Sequence, residues 1–493
     1  MNAGNARPES ADKTEPKKLT LYGQVAARIE YLIERGTFRP GERIPSVRSI
    51  KRQMDVSLST VLAAYGLLED RGVIEARPQS GYYVCAFVSN EPLSCKLEFP
   101  SQSIVPAPLN MDNICTMLMG DSFTRGFVPL GTAIPNPALL PVDSLTRALG
   151  RAVRRSGIQG VSYDFLPGHK RLRTLISQRA MTAGCLLDRD EIVTTHGAME
   201  AVTLSLRAVC RPGDTVAVES PIFYGFLQTI EMHGLRVLEI PTHPERGIHL
   251  DALAYAIEHN SIGACLIATN FSNPLGCCIP DDGKKNLVEL LAAHNIPLIE
   301  DDVYGDLCFS DERPIVAKAF DRKGIVLLCS SFSKTVAPGY RVGWVAPGKF
   351  QKQVQRLKIL SNIATTTPTQ LAMAEFLASG GYNHHLRKIR RVYRKQIDLM
   401  ARAVIRYFPE GTRVSRPAGG YVLWVEFPEA VDSGKLFESA LKERITIAPG
   451  PIFSSGQKYR NCIRLNASFW SSEIEEAIAT VGRLATVNIG MKS

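Results

Sequence analysis

The hydrophobic positions of residues 20–68 recur at helical spacing in three stretches. In TLYGQVAARIEYLIE, at 20–34, one stripe holds Leu21, Val25, Ile29 and Leu32/Ile33. A second helix is predicted over residues 45–54, with Ser46 as its N-cap. After a tight connection Ser57 caps a third predicted helix, LSTVLAAYGLLEDRG, whose apolar face holds Val61, Ala64, Tyr65 and Leu68.

A short strand-like alternation follows this third helix, which Gly72 ends. VIEA and GYYV flank the turn RPQSG at 77–81 and predict a two-stranded ribbon. Two helices, a tight turn, a third helix and a ribbon are the layout of a winged helix–turn–helix. We therefore predict such an α+β domain at 19–87, preceded by a disordered polar tail at 1–18.

From about residue 126 onward, strand-like apolar runs alternate with amphipathic helical stretches, which is typical of an α/β fold. The seven runs lie at 192–195, 215–219, 236–240, 264–269, 296–300, 325–329 and 341–346. Because most are apolar on both faces, they predict a buried, mostly parallel seven-stranded sheet. We expect a body over 127–493 with a small C-terminal α+β subdomain at about 380–493. Residues 88–126, with four prolines and no sustained period, are predicted to be a linker.

Composition narrows the class of protein. The chain has 493 residues, 45% of them hydrophobic and 22% charged, which excludes a wholly disordered chain, a collagen-like repeat and a disulfide miniprotein. No apolar run approaches the roughly 20 residues of a membrane span, and the N-terminus lacks a signal-peptide core. The eleven cysteines form no CxxC pair, so we expect reduced thiols, a cytoplasmic protein and no metal site.

The charge of the chain does not by itself identify a partner. Its formal net charge is +10, but residues 18–87 hold ten Lys and Arg against seven Asp and Glu, a net of only +3. The densest basic run, around 387–395, is either a solvated helix face or a patch that faces DNA.

Residues suited to one cofactor, pyridoxal 5′-phosphate, follow the predicted strands. Lys334 offers the amine for a Schiff base, and Asp301 offers an acid partner for the ring nitrogen. Asn273 and Tyr304 are candidate donors to the phenolic oxygen. Because the carboxyl ends of the strands in an open α/β sheet meet at one crevice, these side chains are expected to converge.

The same crevice is predicted to hold a phosphate group and to cover the cofactor ring. Backbone N–H groups at Gly197 and Ala198 start a helix, and Ser331, Ser333 and Arg341 add hydroxyls and a cation. The aromatic lid over the ring is expected to be Phe223 rather than its neighbour Tyr224. Each motif alone is weak, since an isolated lysine near serines usually lies on a surface.

In order and spacing these motifs resemble the class I aminotransferases of fold type I across about residues 127–493. The step from Asp301 to Tyr304 and the step from Lys334 to Arg341 both match that family.

This resemblance implies two further roles. Arg464 would grip a substrate α-carboxylate, and Tyr163 would cross a dimer interface towards the neighbour's phosphate. A buried core aromatic is the alternative for Tyr163.

The first domain resembles the GntR family of bacterial transcription regulators in PGERIPSVRSI, VSLSTVLAAYGLLEDRGVIEA and SGYYV. The resemblance places the third helix in the major groove and the wing tip along the minor groove of double-stranded operator DNA. The implied DNA-contacting residues are Arg48, Ser57, Ser59, Thr60, Arg77 and Gly81.

The chain also departs from the GntR pattern. Leu58 and Leu62 stand where relatives often carry basic side chains, and Ser49 stands where they often carry Glu. Fewer contacts to guanine are therefore expected, and the sequence does not identify the bases that this domain recognises. A helical protein–protein module is the alternative for this domain.

Together the two parts resemble the MocR subfamily of GntR regulators. The resemblance implies a DNA-binding regulator that forms a head-to-tail homodimer and senses pyridoxal phosphate, an amine or an amino acid through aldimine chemistry at Lys334. The main alternative is a working aminotransferase whose DNA-binding head is incidental. A cofactor-binding scaffold without DNA activity is the third hypothesis.

Overall fold

The computed structural model describes residues 20–34, 37–38, 42–70, 73–77, 80–84 and 126–490. The chain divides into two compact units near residue 90. The tail expected at 1–18 and nearly all of the linker expected at 88–126 lie outside the described residues.

The first unit is a winged helix–turn–helix, as predicted. Its elements are α1 (Leu21–Glu34), α2 (Val47–Met54), α3 (Leu58–Asp70), β1 (Ile74–Arg77) and β2 (Gly81–Val84). The two strands pair antiparallel, with Ile74 opposite Val84. The predicted apolar faces of α1 and α3 pack together in one core, which includes Val25, Ile29, Val61, Tyr65 and Leu68. Leu21 is an exception: as the first residue of α1 it is 58% exposed, so the predicted stripe is wrong at this position.

Side-chain caps set the starts of α2 and α3. Ser46 Oγ accepts from the backbone N–H of Ser49 at 3.3 Å, and Ser57 Oγ accepts from that of Thr60 at 3.1 Å. Between the two helices Asp55 adopts a left-handed conformation (φ 50°) and ends α2. These local contacts orient α3 against α2.

The second unit is an α/β fold with a further small sheet. Its helices are α4 (Val142–Ser156), α5 (Lys170–Ala180), α6 (Ala198–Val209), α7 (Tyr224–Met232), α8 (Leu250–His259), α9 (Asp281–Ala293), α10 (Gln351–Asn362), α11 (Thr367–Ala378), α12 (Gly381–Tyr407), α13 (Ser433–Lys442) and α14 (Ser472–Gly490). Its strands are β3 (Val128–Pro129), β4 (Val193–Thr195), β5 (Thr215–Ser220), β6 (Arg236–His243), β7 (Gly247–Ile248), β8 (Ile262–Ala268), β9 (Leu298–Asp301), β10 (Val326–Ser331), β11 (Gly343–Ala346), β12 (Arg413–Val414), β13 (Val422–Glu426), β14 (Ile445–Thr446), β15 (Ala448–Pro449) and β16 (Cys462–Asn466).

All seven predicted strands lie in one sheet, in the order β4-β11-β10-β9-β8-β5-β6, and the two-residue β7 extends its edge. Strands β10, β9, β8, β5 and β6 pair in parallel, while β11 runs antiparallel to both of its neighbours. Apolar residues of α6 and α7 pack on one face, and those of α8 and α9 pack on the other. Because helices cover both faces of the sheet, the strands carry apolar side chains on both faces.

A smaller antiparallel sheet, β12-β13-β16-β15, follows the long helix α12. No helix in the described part of the chain has the length and apolar character needed to cross a membrane.

Candidate functional site

Functional side chains collect at one edge of the large sheet. Strands β4, β5, β8, β9 and β10 all end there, and β11 starts there because it runs the opposite way. The predicted residues that follow or precede these ends are Gly197, Ala198, Phe223, Asn273, Asp301, Tyr304, Ser331, Ser333, Lys334 and Arg341. The parallel topology thus brings together residues from widely separated parts of the sequence.

Lys334 lies just after β10 with its amine directed into the interior. Its Nζ donates to the backbone carbonyl of Ala133 at 2.7 Å and lies 5.9 Å from the centre of the Tyr304 ring. Burial, together with the nearby Arg464 guanidinium, lowers the pKa of Lys334 to about 8. The amine is consequently neutral in a substantial fraction of molecules near pH 8, which is the form that acts as a nucleophile.

Asp301 ends β9 and is buried without a matching donor. Its Oδ1 has no hydrogen-bond partner among the described residues. Burial and the neighbouring Asp302 raise the pKa of Asp301 to about 7, although Lys334 acts in the opposite direction. A buried carboxylate oxygen of this kind is costly unless a ligand supplies the partner.

A cradle for an anion forms where α6 begins. Gly197 precedes the helix with a φ of 81°, and a Cβ atom at this position would lie 2.3 Å from Arg341 Nη2. Arg341 donates to Ser333 Oγ at 3.2 Å and to the carbonyl of His196 at 3.1 Å. Ser331 Oγ in turn accepts from the backbone N–H of Ser333 at 3.3 Å. Free N–H groups at a helix start, a guanidinium and two hydroxyls suit a phosphate group.

Arg464, on β16, lies fully buried and acts electrostatically on Lys334. Its Nη1 donates to Asn273 Oδ1 at 3.1 Å, and its Nη2 donates to the carbonyl of Gly131. Its Nε has no partner among the described residues. Because the amide oxygen of Asn273 faces Arg464, the amide nitrogen is left to donate elsewhere.

Aromatic residues line the same pocket. Phe223 is partly exposed, whereas Tyr224 is buried and is hydrogen-bonded to Arg464. Of the two, Phe223 is therefore the one available as a lid. The ring of Tyr304 packs edge-on against that of Tyr421 at 5.3 Å.

Sequence reasoning missed the segment at 131–133, which contacts both Lys334 and Arg464. Gly131 and Ala133 act through backbone carbonyls, so no side-chain pattern could have indicated them. Tyr421 was also missed; it lies directly before β13, in the small subdomain expected at about 380–493.

Tyr163 is the one predicted cofactor residue that the structure does not bring to this pocket. It is 67% exposed, and its ring lies 5.7 Å from that of Phe165. The alternative of a buried core aromatic is therefore wrong.

The predicted DNA-contacting residues lie on the surface of the first unit. Arg48 is exposed on α2. At the start of α3, Ser57 Oγ lies 2.8 Å from Ser59 Oγ and 2.7 Å from Thr60 Oγ1. Arg77 is held by Glu75 at 2.8 Å and lies over the Tyr83 ring. Gly81 opens β2 with a φ of 110° and packs against Arg43.

Comparison with known proteins separates the two units in the same way. The bacterial regulatory proteins of the gntR family match residues 21–84, and aminotransferase class I and II matches residues 139–481. The uncharacterized HTH-type transcriptional regulator YdcR of Escherichia coli (strain K12) is 39% identical over 468 residues, which cover 94% of this chain and 98% of that protein. This chain belongs to the GntR-type regulators of MocR architecture.

Other relatives agree with this family. The HTH-type transcriptional regulator NorG of Staphylococcus aureus (strain NCTC 8325 / PS 47) is 28% identical and covers 87% of this chain and 96% of its own. Multiple substrate aminotransferase from Thermococcus profundus superposes with a TM-score of 0.72 at 25% identity, over 78% of this chain and 97% of that one. Kynurenine aminotransferase from Pyrococcus horikoshii gives 0.70 at 27% identity, over 78% and 95%. This MocR protein is thus a pyridoxal phosphate-dependent, DNA-binding transcriptional regulator.

The pocket of this MocR protein fits pyridoxal phosphate. Asp301 Oδ1 has no hydrogen-bond donor among the described residues, and a protonated ring nitrogen would supply one. The cradle at Gly197 has room for a phosphate because glycine has no side chain; a Cβ atom there would collide with Arg341. When bound, the cofactor supplies a ring that withdraws electrons from the carbon next to an attached amine. In this pocket Asp301 would hold the ring proton, Arg341 would anchor the phosphate and Lys334 would present its amine.

Proposed function

We propose that this regulator is a homodimer that responds to an amine or an amino acid held beside Lys334, or to pyridoxal phosphate itself. The main support is the short segment at 131–133. The carbonyl of Ala133 accepts a hydrogen bond from Lys334 Nζ, and the carbonyl of Gly131 accepts one from Arg464 Nη2. An amino acid carries its amine and its carboxylate two bonds apart. The pocket offers a matching pair of groups, because Lys334 and Arg464 both donate hydrogen bonds to carbonyls of this segment, which lie two residues apart.

The proposed roles of Lys334 and Arg464 follow from these contacts, and that of Tyr163 follows from the resemblance to the class I aminotransferases. Lys334 is the catalytic lysine, Arg464 binds the ligand's carboxylate, and Tyr163 reaches the phosphate of a neighbouring subunit. The proposed cofactor contacts are Gly197, Ala198, Phe223, Asn273, Asp301, Tyr304, Ser331, Ser333 and Arg341. On the first unit, Arg48, Ser57, Ser59, Thr60, Arg77 and Gly81 are proposed to contact operator DNA.

The proposed organisation is a DNA-binding domain at 19–87, a linker at 88–126 and a body at 127–493. A ligand changes DNA binding only through its different affinity for two states of the body. We place the protein in the cytoplasm, since all eight described cysteines are free thiols.

Substitution of Lys334 tests this proposal. Operator DNA is first selected from a random duplex library, and the holoprotein bound to it is then titrated with amines and the amino acids. At least one compound is expected to change both the cofactor absorbance and the affinity for the selected duplex. Lys334→Ala should abolish both responses, whereas Lys285→Ala, at an exposed position of α9, should keep them.

The outcome also separates the competing functions. A Lys334→Ala protein that answers every compound as the wild type does would overturn the proposal. Steady turnover of an amino acid and keto acid pair, at roughly 1–10³ per second, would instead favour an aminotransferase, which the complete residue set also allows.

A further inference from the structure

The exposed face of α3 carries no charged side chain over its first three turns. Leu58, Ser59, Leu62 and Ala63 are exposed, and Gly66 lies next along the same face. Leu58 is 45% exposed and Leu62 is 48% exposed. Because they are four residues apart in a helix, the two leucines are neighbours on one side of α3.

Positive charge lies beside this face rather than on it. Arg48, Lys51 and Arg52 are exposed on α2, which packs against α3, and Arg43 is exposed just before α2. The nearest exposed acidic side chain on α3 is Glu69, close to the end of the helix, where it accepts from the backbone N–H of Ala76. An apolar centre with a cationic border complements a DNA groove, in which phosphates flank the base edges.

The chemistry of the face limits which base features it can recognise. Bidentate contacts to guanine need Arg or Lys, and those to adenine need Asn or Gln. The exposed positions of α3 from Leu58 to Gly66 carry none of these side chains. The feature of the major groove that an aliphatic side chain recognises is the C5 methyl group of thymine.

We infer that Leu58 and Leu62 determine operator specificity by packing against the methyl groups of thymines on nearby base pairs. This inference rests on the proposed function, in which α3 enters the major groove. Lys51 and Arg52 then supply phosphate contacts that hold the helix in place without selecting sequence.

Uracil in place of thymine tests the inference, because it removes the methyl group and leaves base pairing intact. Full-length holoprotein is used to select operator sequences from a random duplex library, and the selected duplexes are then prepared with thymine or with uracil. We expect thymines to be enriched at two positions. Uracil at each position should weaken binding about fourfold, the effect of one lost methyl contact.

Leucine variants identify the side chains responsible. Leu58→Ala and Leu62→Ala should each lose the thymine-to-uracil difference at one position while still melting near the wild-type temperature, since both residues are exposed. Leu21→Ala, at an exposed leucine of α1 in the same unit, is the matched control and should keep both differences.

Each other result has a distinct meaning. Selected duplexes that bind equally well with thymine and with uracil would overturn the inference and leave DNA binding intact. Alanine variants that keep the full difference would assign the methyl contacts to other residues and overturn it too. A library from which no sequence is enriched would contradict the proposed function itself.

Discussion

Lys334 and Asp301 share one buried pocket, and burial drives both towards their neutral forms. The pKa of Lys334 falls to about 8, and that of Asp301 rises to about 7. Arg464 favours the neutral amine, whereas Asp301 favours the ammonium. Beyond burial, Arg464 and Asp301 act on the pKa of Lys334 in opposite directions, so their separate effects can be measured.

The pH dependence of cofactor capture should report these charges. For protein freed of pyridoxal phosphate, the rate of covalent capture by Lys334 should rise with pH and level off above about 8, since the neutral amine is the nucleophile. Arg464→Gln removes a charge that opposes the ammonium, so the midpoint should move to higher pH. Asp301→Asn removes a charge that favours the ammonium, so the midpoint should move to lower pH. Stopped-flow absorbance with borohydride trapping measures the rate.

An exposed arginine provides the control for this experiment. Arg322 precedes β10, at the opposite end of that strand from Lys334, so Arg322→Gln should leave the midpoint in place. Shifts of the Arg464 and Asp301 variants in the same direction would contradict the electrostatic account.

The helix α12 contacts two of the loops that carry proposed cofactor residues, the loop after Tyr304 and the loop after Lys334. Tyr382 OH donates to Asp306 Oδ2 at 2.6 Å and lies 3.2 Å from Thr335 Oγ1. His385 Nε2 donates to the carbonyl of Thr335 at 2.7 Å, and Arg390 donates to that of Asp306 at 2.7 Å. Asp306 follows Tyr304 closely, and Thr335 follows Lys334. One helix therefore positions the loop after Lys334 and the loop after Tyr304 together.

Loss of the Tyr382 hydroxyl should disturb this positioning. Tyr382→Phe removes a hydrogen bond to a carboxylate and should lower the free energy of unfolding by about 1.5–3 kcal/mol. Arg179 and Arg313 still neutralise Asp306, so the body should fold. The midpoint of the pH profile of cofactor capture should also shift, because Thr335 adjoins Lys334. Denaturant unfolding and the capture assay measure the two effects.

Tyr407 supplies a matched control on the same helix. Its hydroxyl donates to Glu475 Oε1 at 3.2 Å, at the opposite end of α12. Tyr407→Phe should change stability without moving the pH midpoint. If Tyr382→Phe also left the pH midpoint unchanged, the Tyr382 hydroxyl would contribute to stability alone.

The elements that sequence patterns predicted correctly are those in which local features decide the outcome. The seven strands were recognisable because helices cover both sheet faces, so that most strand positions are apolar. The helices α2 and α3 were recognisable because Ser46 and Ser57 cap them. The two-residue β7 is too short to show a period. The pairing of Asp306 with Tyr382, 76 residues apart, depends on tertiary packing. The contacts of residues 131–133 could not be predicted, because they are made by backbone carbonyl groups, which every residue has.

At the scale of the whole molecule, an apolar surface on the second unit needs a partner. Ile158, Val161, Tyr163 and Phe165 are all exposed, and they lie within eight residues of the chain. Contiguous exposed apolar groups of this kind mark sites of association. A second copy of the chain bound here would bury the group and bring Tyr163 to a pocket other than its own, as the proposed homodimer requires.

Mixed dimers provide the decisive test of a shared site. A Lys334→Ala chain and a Tyr163→Ala chain, carrying different affinity tags, are coexpressed, and dimers with both tags are purified. If Tyr163 serves the neighbour, one site in each mixed dimer has an intact lysine and an intact tyrosine. That site should capture pyridoxal phosphate with wild-type affinity, although Tyr163→Ala homodimers bind about ten- to a hundredfold more weakly through loss of a hydrogen bond to a charged phosphate. If Tyr163 acts within its own chain, the only remaining lysine lacks its tyrosine, and the mixed dimers should show the weak affinity alone.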